Sequence, residues 1–166
     1  MLKVVNGDIF DSNADAILHQ VNCQGIMGSG VAKQVREKYP HVYQQYKTIC
    51  NSSEELKSRV GVKAPLLGYA QVCPKYNYLF GDERDQQSIV NLFAQDKYGY
   101  DGRCYTDYTA LQKCLKDVNE RFTGKKVALP YLMACHRGGG DWNIVSKIIE
   151  ETLTDCDVTI YKYDGN

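Results

Sequence analysis

The chain has 166 residues, and its 20 basic and 20 acidic side chains balance to a formal net charge of zero. This balance argues against a general nucleic-acid-binding protein, which usually carries a basic excess, but it is compatible with a small anion held by backbone N–H groups. The length is typical of one domain, and we expect residues 1–166 to form a single domain.

The seven cysteines are scattered, odd in number and without a CxxC pair. This pattern predicts neither a disulfide framework nor a zinc site. The N-terminus has no apolar signal core, and no apolar run is long enough to span a membrane. The sequence therefore predicts reduced thiols in a cytoplasmic protein, with no metal, no cofactor and no membrane contact.

The hydrophobic pattern alternates between strands and helices along the chain. Strands are predicted over residues 2–5, 16–21, 68–72, 76–80, 88–93, 126–132 and 158–161, and the middle ones have hairpin character. Helices are predicted over 31–39, 41–50, 105–122 and 142–153, whereas residues 51–67 show no clear pattern. This order predicts an α/β fold, a three-layer α/β/α sandwich with a mixed central sheet, whose ligands bind at the carboxyl ends of the strands.

Two glycine-rich loops each join a predicted strand to a predicted helix. The first runs from Gly25 to Gly30, and small residues there would let a phosphate approach the backbone and the N-terminus of the next helix. It is neither a P-loop nor a dinucleotide-binding fingerprint, because the spacing fits neither motif. A tight turn explains this loop equally well.

The second loop runs from Ala134 to Trp142 and contains three consecutive glycines. Three glycines are costly in conformational entropy, so we expect either close approach of a ligand or a chain path with positive φ. Two such loops on either side of one crevice would suit a diphosphate. Asp141, at the end of the loop, is also a good N-cap for the helix that follows, and one residue can serve both roles.

Polar residues follow the first two predicted strands. Asp8, in the turn after strand one, could accept a hydrogen bond from an exocyclic amine such as that of adenine, although a plain turn is as good an interpretation. Asn22 could bind a sugar hydroxyl at the end of strand two. The alternative for His19 is a satisfied core histidine, and the alternative for Cys23 is a small buried apolar residue.

These motifs, in this order, resemble the macro domain family over residues 2–163. Residues 7–9 look like the family's adenine-contacting turn, Asn22 like its distal-ribose asparagine, and residues 27–32 like its first phosphate loop. Residues 129–130 and 134–142 are similar to the second phosphate loop and its helix. Tyr161, in the last strand, looks like the aromatic residue that packs on adenine.

Two related branches of the family are most similar: the terminal ADP-ribose protein glycohydrolases, with bacterial relatives that remove ADP-ribose from DNA, and the ADP-ribose 1″-phosphate phosphatases. The glycohydrolase branch has a nucleophilic lysine where this sequence has Gln95, with Lys97 two residues later. It also has an aspartate where this sequence has Gly138. Both departures weaken the prediction of a lysyl intermediate.

The resemblance implies a protein that binds ADP-ribose and hydrolyses a derivative at the distal ribose C1″, as an ADP-ribosyl hydrolase or an ADP-ribose 1″-phosphate phosphatase. ADP-ribosylated protein or DNA are the implied macromolecular partners. The implied catalytic residues are Asp141, as general base, and Asn22, which would orient the ribose; His19 and His136 are weaker candidates for the base. The implied ligand-binding residues are Gly7, Asp8, Ile9, Val21, Asn22, Cys23, Met27, Gly28, Ser29, Gly30, Val31, Ala134, His136, Arg137, Gly138, Gly139, Gly140, Asp141 and Tyr161.

Two other functions fit the same sequence. A non-catalytic reader of ADP-ribose, or of a related nucleotide signal, would use the same loops and need no base, and Gln95 favours it. A binder of protein or single-stranded nucleic acid would use the tyrosine-rich region between Tyr69 and Tyr108, where aromatic rings could stack on bases.

Overall fold

The computed structural model describes residues 1–76 and 87–163. Its strands are β1 (Lys3–Asn6), β2 (Ala16–Val21), β3 (Ala70–Pro74), β4 (Ser88–Phe93), β5 (Lys126–Pro130) and β6 (Asp157–Lys162). Its α-helices are α1 (Gly30–Lys38), α2 (Pro40–Val60), α3 (Tyr108–Arg121) and α4 (Trp142–Thr152), and a short 3₁₀ helix covers Ile9–Asp11.

The six strands form one mixed sheet in the order β1-β6-β5-β2-β4-β3. All neighbouring pairs are parallel except β3 and β4, which are antiparallel. The parallel strands therefore end at one edge of the sheet, where the loops after β1, β2, β4 and β5 come together. The predicted α/β/α sandwich with a mixed sheet is confirmed.

Alternating strand residues feed two apolar cores, one on each face of the sheet. Leu18 of β2 and Val90 of β4 pack with α3 and α4 in one core. Ile17 and Ile89, their neighbours in the same strands, pack with α1, α2 and the 3₁₀ helix in the other. Four of the six residues in each of these two strands are apolar, because helices cover both faces of the sheet.

Capping residues account for where the helices begin and end. Asp107 and Asp141 lie at the N-caps of α3 and α4, and each carboxylate accepts a backbone N–H from the first turn. Pro40 occupies the first turn of α2, and Gly61 ends that helix with a left-handed φ of 69°.

The largest difference from the sequence prediction is the length of α2. The helix predicted over 41–50 continues to Val60, so most of the unpatterned stretch after residue 50 is helical. Its outer turns are polar and carry i,i+4 pairs such as Arg59 with Glu55, which give no apolar periodicity to detect. The strand predicted over 76–80 falls almost entirely in residues 77–86, outside the described residues.

All seven cysteines are free thiols. None of the helices in the described part of the chain is both long enough and apolar enough to cross a bilayer.

Candidate functional site

The site is a cavity of about 210 Å³ at the carboxyl edge of the sheet, between the two glycine-rich loops. The loop after β2 lines one side and the loop after β5 lines the other, while the segment after β4 closes the end. The lining residues are His19, Gln20, Val21, Asn22, Ile26, Gly28, Ser29, Gly30, Val31, Ala32, Gln95, Tyr98, Gly99, Tyr100, Pro130, Tyr131, Leu132, Met133, Ala134, His136, Arg137 and Gly138.

The first loop delivers the N-terminus of α1 to the cavity. Ser29 is the N-cap of α1 but makes no side-chain capping bond, and the cavity wall continues through Gly30, Val31 and Ala32. The first N–H groups of a helix have no intrahelical acceptor, and the helix dipole places partial positive charge there. This wall is therefore suited to an anion.

Buried contacts hold the first loop in shape. The Asn22 side chain donates to the Ile26 carbonyl (2.8 Å) and accepts from the Gln24 N–H (2.9 Å). The buried Tyr46 hydroxyl of α2 donates to the backbone and side-chain oxygens of Asn22 at 2.9 and 2.8 Å. Asn22 lines the cavity, but these bonds show that its amide also fixes the turn before the loop.

The second loop is fixed by the segment between β4 and α3. The Gly138 carbonyl accepts the N–H groups of Tyr105 (2.7 Å) and Thr106 (2.9 Å), and the Thr106 hydroxyl donates to the Ala134 carbonyl. Gly139 has a φ of 67°, and an added Cβ would lie 2.2 Å from the Arg103 carbonyl oxygen. The triple glycine therefore serves close packing of protein on protein as well as the positive φ that the sequence predicted.

The second loop also presents backbone donors to the cavity. The N–H groups of His136, Arg137 and Gly138 find no acceptor within the described residues, whereas the neighbouring Cys135 and Gly140 N–H groups bond to carbonyls of the same loop. Consecutive free N–H groups in a loop form a typical anion-binding concavity. Residues whose backbone N–H groups have no protein acceptor thus line the cavity in both loops.

An aromatic contact crosses the mouth of the cavity. The Arg137 guanidinium lies over the Tyr100 ring, 4.5 Å from its centroid, and so joins the second loop to the segment after β4. Tyr98 and Tyr100 both line the cavity and are 42% and 66% exposed, which leaves ring surface available to a ligand. Among the described residues, the lining contains arginine and histidine but no lysine and no carboxylate.

The remaining predicted site residues lie outside this cavity. Cys23 and Met27 are buried in the core beside α1 and α2, and burial raises the pKa of the Cys23 thiol to about 12. Asp141 is exposed, and its carboxylate accepts the Asn143 N–H (2.8 Å) as the N-cap of α4. Gly139 and Gly140 complete the second loop behind the lining residues.

The predicted adenine-contacting residues lie further along the same edge of the sheet. The Gly7 N–H donates to the Lys162 carbonyl, the Asp8 carboxylate caps the 3₁₀ helix, and the side chain of Ile9 is buried. The Tyr161 carbonyl accepts from Tyr131, whose side chain lines the cavity. These residues therefore extend the edge beyond the cavity.

Sequence reasoning missed part of the lining. Gln20 and Gln95 face the cavity, and they are polar residues in or just after apolar strands, which was a usable signal. Tyr98 and Tyr100 belong to the tyrosine-rich region, whose density alone could not assign them to this cavity. The turn after β5 that contains Leu132 has a positive φ of 59° at a non-glycine residue, which no local pattern indicates.

Helices cover both faces of the mixed sheet, and a cavity lies between two glycine-rich loops at its carboxyl edge. No family model matches the chain. Among solved structures, the macrodomain of Thermus aquaticus DarG superposes with a TM-score of 0.70 and is 26% identical, covering 99% of this chain and 98% of that one. Thermosipho africanus DarTG, solved in complex with ADP-ribose, has a TM-score of 0.72 at 22% identity, over 98% of this chain and 42% of that one.

Curated relatives agree with the structures. An ADP-ribose 1″-phosphate phosphatase of Aspergillus oryzae is 22% identical over 93% of this chain and 90% of its own length. A DNA ADP-ribosyl glycohydrolase of Thermus aquaticus is 28% identical over 99% of this chain, but the chain spans only 41% of that relative's length. The chain has the fold of the macrodomains, and the resemblance to the macro domain family is confirmed.

Proposed function

We propose that this macrodomain binds ADP-ribose and hydrolyses an ADP-ribose derivative at the distal ribose C1″. The observation that carries the proposal is that residues with unbonded backbone N–H groups, from both glycine-rich loops, line one cavity. Such donors bind a diphosphate without any lysine and hold the rest of the ligand in place. The free thiols support the cytoplasmic location that belongs to the same proposal.

In this proposal the ligand extends beyond the cavity. Ligand cavities usually measure roughly 300–1,000 Å³, and the 210 Å³ here suffices for the diphosphate and distal ribose but not for the whole of ADP-ribose. The adenosine would continue along the sheet edge toward Asp8 and Tyr161, as the sequence predicted. Asn22 and Gln95 would then flank the distal ribose.

The names of the relatives support hydrolysis and suggest two leaving groups. One relative is named for removing phosphate from ADP-ribose 1″-phosphate and the other for removing ADP-ribose from DNA. In either reaction at C1″, a water oxygen bonds to the carbon, the bond to the leaving group breaks, and the proton of the water passes to a base. Because Gln95 occupies the position of the branch lysine, direct attack by water fits this chain better than a lysyl intermediate.

The described residues offer two candidates for the base, Asp141 and His136. Asp141 was the first candidate from the sequence, but its carboxylate caps α4 and does not line the cavity. His136 lines the cavity and is exposed at its rim. Asp141 and His136 are therefore both candidates for the base, and the turnover of Asp141 variants distinguishes them.

A second candidate function is a non-catalytic reader of ADP-ribose. The observation that favours it is the absence of any carboxylate or lysine from the described cavity lining. A reader would use the same diphosphate site and would need no base.

The first experiment is calorimetric titration with ADP-ribose, using Ser29→Asp and Ser29→Asn as a matched pair. Both substitutions place a good N-cap at the start of α1, but only aspartate adds negative charge beside the bound diphosphate. We expect the asparagine variant to bind like the unmodified protein and the aspartate variant to lose at least tenfold in affinity. Equal affinity in the two variants would contradict diphosphate binding at this loop.

The second experiment offers ADP-ribose 1″-phosphate, ADP-ribosylated protein and ADP-ribosylated single-stranded DNA to the unmodified protein. Turnover of one substrate would establish the hydrolase and its leaving group. Binding of ADP-ribose without turnover of any of the three would establish the reader instead.

A further inference from the structure

The cavity lining contains a histidine ring with one nitrogen bonded and the other without a partner. His19 lines the cavity, is only 1% exposed and lies opposite Asn91 in the β2–β4 pairing. Its Nε2 is 2.5 Å from the Asn91 Oδ1, whereas its Nδ1 is buried and has no hydrogen-bond partner. A buried polar atom left without a partner is costly in free energy, so such atoms usually meet a water or a ligand.

A chain of amide groups fixes which ring nitrogen carries the proton. The Gln71 Nε2 donates to the Gln45 carbonyl of α2, so the Gln71 Oε1 accepts from the Asn91 Nδ2 at 3.0 Å. The Asn91 Oδ1 is therefore the acceptor for His19, and the Nε2 of His19 must be its donor. Burial also lowers the pKa of His19 to about 4, so the ring is neutral at pH 7 and its Nδ1 is a bare acceptor.

Gln20, the next residue of β2, has a second acceptor atom without a partner, on the face of the sheet opposite to His19. The Gln20 Nε2 donates to the Gln95 Oε1 and to the Thr106 hydroxyl, both at 2.9 Å. This leaves the Gln20 Oε1 buried and without a partner. The orientation of the Gln95 amide is fixed as well: its Nε2 donates to the Lys97 carbonyl at 3.0 Å, so its Oε1 is the acceptor for Gln20.

We propose that the His19 Nδ1 and the Gln20 Oε1 are specificity-determining acceptors that take hydrogen bonds from hydroxyl groups of the distal ribose. This proposal rests on the proposed ADP-ribose site and adds to it the chemistry of one end. The amide networks use the donors of His19 and Gln20 in protein contacts and leave one acceptor atom without a partner on each of these cavity-lining side chains. A hydroxyl group can donate a hydrogen bond to these acceptors, whereas a phosphate oxygen would be repelled. The two residues therefore favour the sugar over the diphosphate at this end of the cavity.

The ring nitrogens can be observed directly in the unmodified protein. The chain has three histidines, so ¹⁵N-histidine labelling gives a spectrum simple enough to assign with single-site variants. We expect His19 to be the neutral Nε2–H tautomer, with a free-acceptor Nδ1 resonance that moves upfield when ADP-ribose is added. ADP, which lacks the distal ribose, should bind without moving it. An Nδ1–H tautomer, or equal shifts with both ligands, would overturn the proposal.

Affinity provides the second readout. His19→Phe and Gln20→Met remove one acceptor each at similar volume, and His41→Phe is the matched control because His41 does not line the cavity. We expect the first two variants to lose about tenfold in affinity for ADP-ribose while binding ADP as the unmodified protein does. The control should keep both affinities.

The two ligands separate failure of this inference from failure of the proposed function. If unmodified protein binds ADP-ribose and ADP but the His19 and Gln20 variants lose affinity for both equally, the acceptor role is overturned and the diphosphate site stands. If unmodified protein binds neither ligand, the proposed function and this inference fall together. Should His19→Phe fail to fold, the ¹⁵N spectra and Gln20→Met decide.

Discussion

At the scale of single residues, a comparison of Gly139 with Gly102 distinguishes two reasons why a position requires glycine: a left-handed φ and the lack of space for a Cβ. Gly139 and Gly102 both have left-handed φ, 67° and 78°, but only at Gly139 would a Cβ meet another atom, the Arg103 carbonyl oxygen. We expect Gly102→Ala to lower the free energy of unfolding by about 1 kcal/mol, from backbone conformation alone. Gly139→Ala should lower the free energy of unfolding by roughly 3 kcal/mol, because the second glycine-rich loop and the segment around Arg103 must also move apart.

Urea denaturation of the two glycine variants measures this difference. Gly139→Ala should also weaken ADP-ribose binding, whereas Gly102→Ala should not. Equal losses of stability would mean that the contact between residues 103–106 and the second loop contributes nothing beyond the backbone strain.

Substitutions of Asp141 distinguish its role as the N-cap of α4 from its proposed role as general base. Because its carboxylate holds the first turn of α4 outside the cavity lining, we expect Asp141→Asn to keep stability and turnover, and Asp141→Ala to lose about 1 kcal/mol of stability. Asp107→Asn and Asp107→Ala, at the N-cap of α3, are the controls for capping alone. A 100-fold loss of turnover in Asp141→Asn, with normal binding, would instead identify Asp141 as the general base.

At the scale of elements, α2 supports the first glycine-rich loop through one hydroxyl group. Tyr46 is fully buried and bonds both oxygens of Asn22, whereas the Tyr43 hydroxyl one turn earlier reaches the Gly25 carbonyl only at 3.5 Å. We expect Tyr46→Phe to cost roughly 1–2 kcal/mol of stability and to weaken ADP-ribose binding, because the turn before the loop loosens.

Tyr43→Phe is the control for this coupling between a helix and a loop. At 3.5 Å its hydrogen bond is weak, so the substitution should leave stability within about 0.5 kcal/mol and binding unchanged. Thermal unfolding and calorimetric titration of the pair would show it. If the two variants behave alike, the Tyr46–Asn22 bonds do not position the loop.

The elements also show where sequence patterns succeed and fail. Strands β2 and β4 were predicted to the residue, because four of the six residues in each are apolar. The second half of α2 was missed because its buried contacts are few, Ser53 among them, and its outer face is charged. Local patterning reports burial, and a helix half in solvent gives little of that signal.

At the scale of the whole molecule, the fold and the meeting of the two glycine-rich loops at one edge of the sheet followed from the order of strands, helices and glycine loops. The composition of the cavity did not. Gln20, Gln95 and Tyr100 come together only because β2 and β4 are adjacent and the segment after β4 folds back onto the second loop. Asp141 belongs to the motif that resembles the second phosphate loop, and its carboxylate caps α4 outside the described cavity lining, so its predicted role stays a prediction.

The burial of His19 also makes the stability of the molecule depend on pH. Its pKa is lowered from 6.5 to about 4, chiefly by burial, so between these values the unfolded chain binds more protons than the folded one. Stability is therefore complete above pH 6.5 and falls as the pH drops toward 4, by up to about 3 kcal/mol at 1.36 kcal/mol per pKa unit.

The measurement is urea unfolding at intervals from pH 7.5 to 4, compared with His19→Phe. Carboxylates titrate in both proteins, so the difference isolates His19: the unmodified protein should lose more stability than the variant between pH 6.5 and 4. Parallel curves would show that the ring is not held neutral in the folded protein, and that its Nδ1 is not the bare acceptor on which sugar recognition depends.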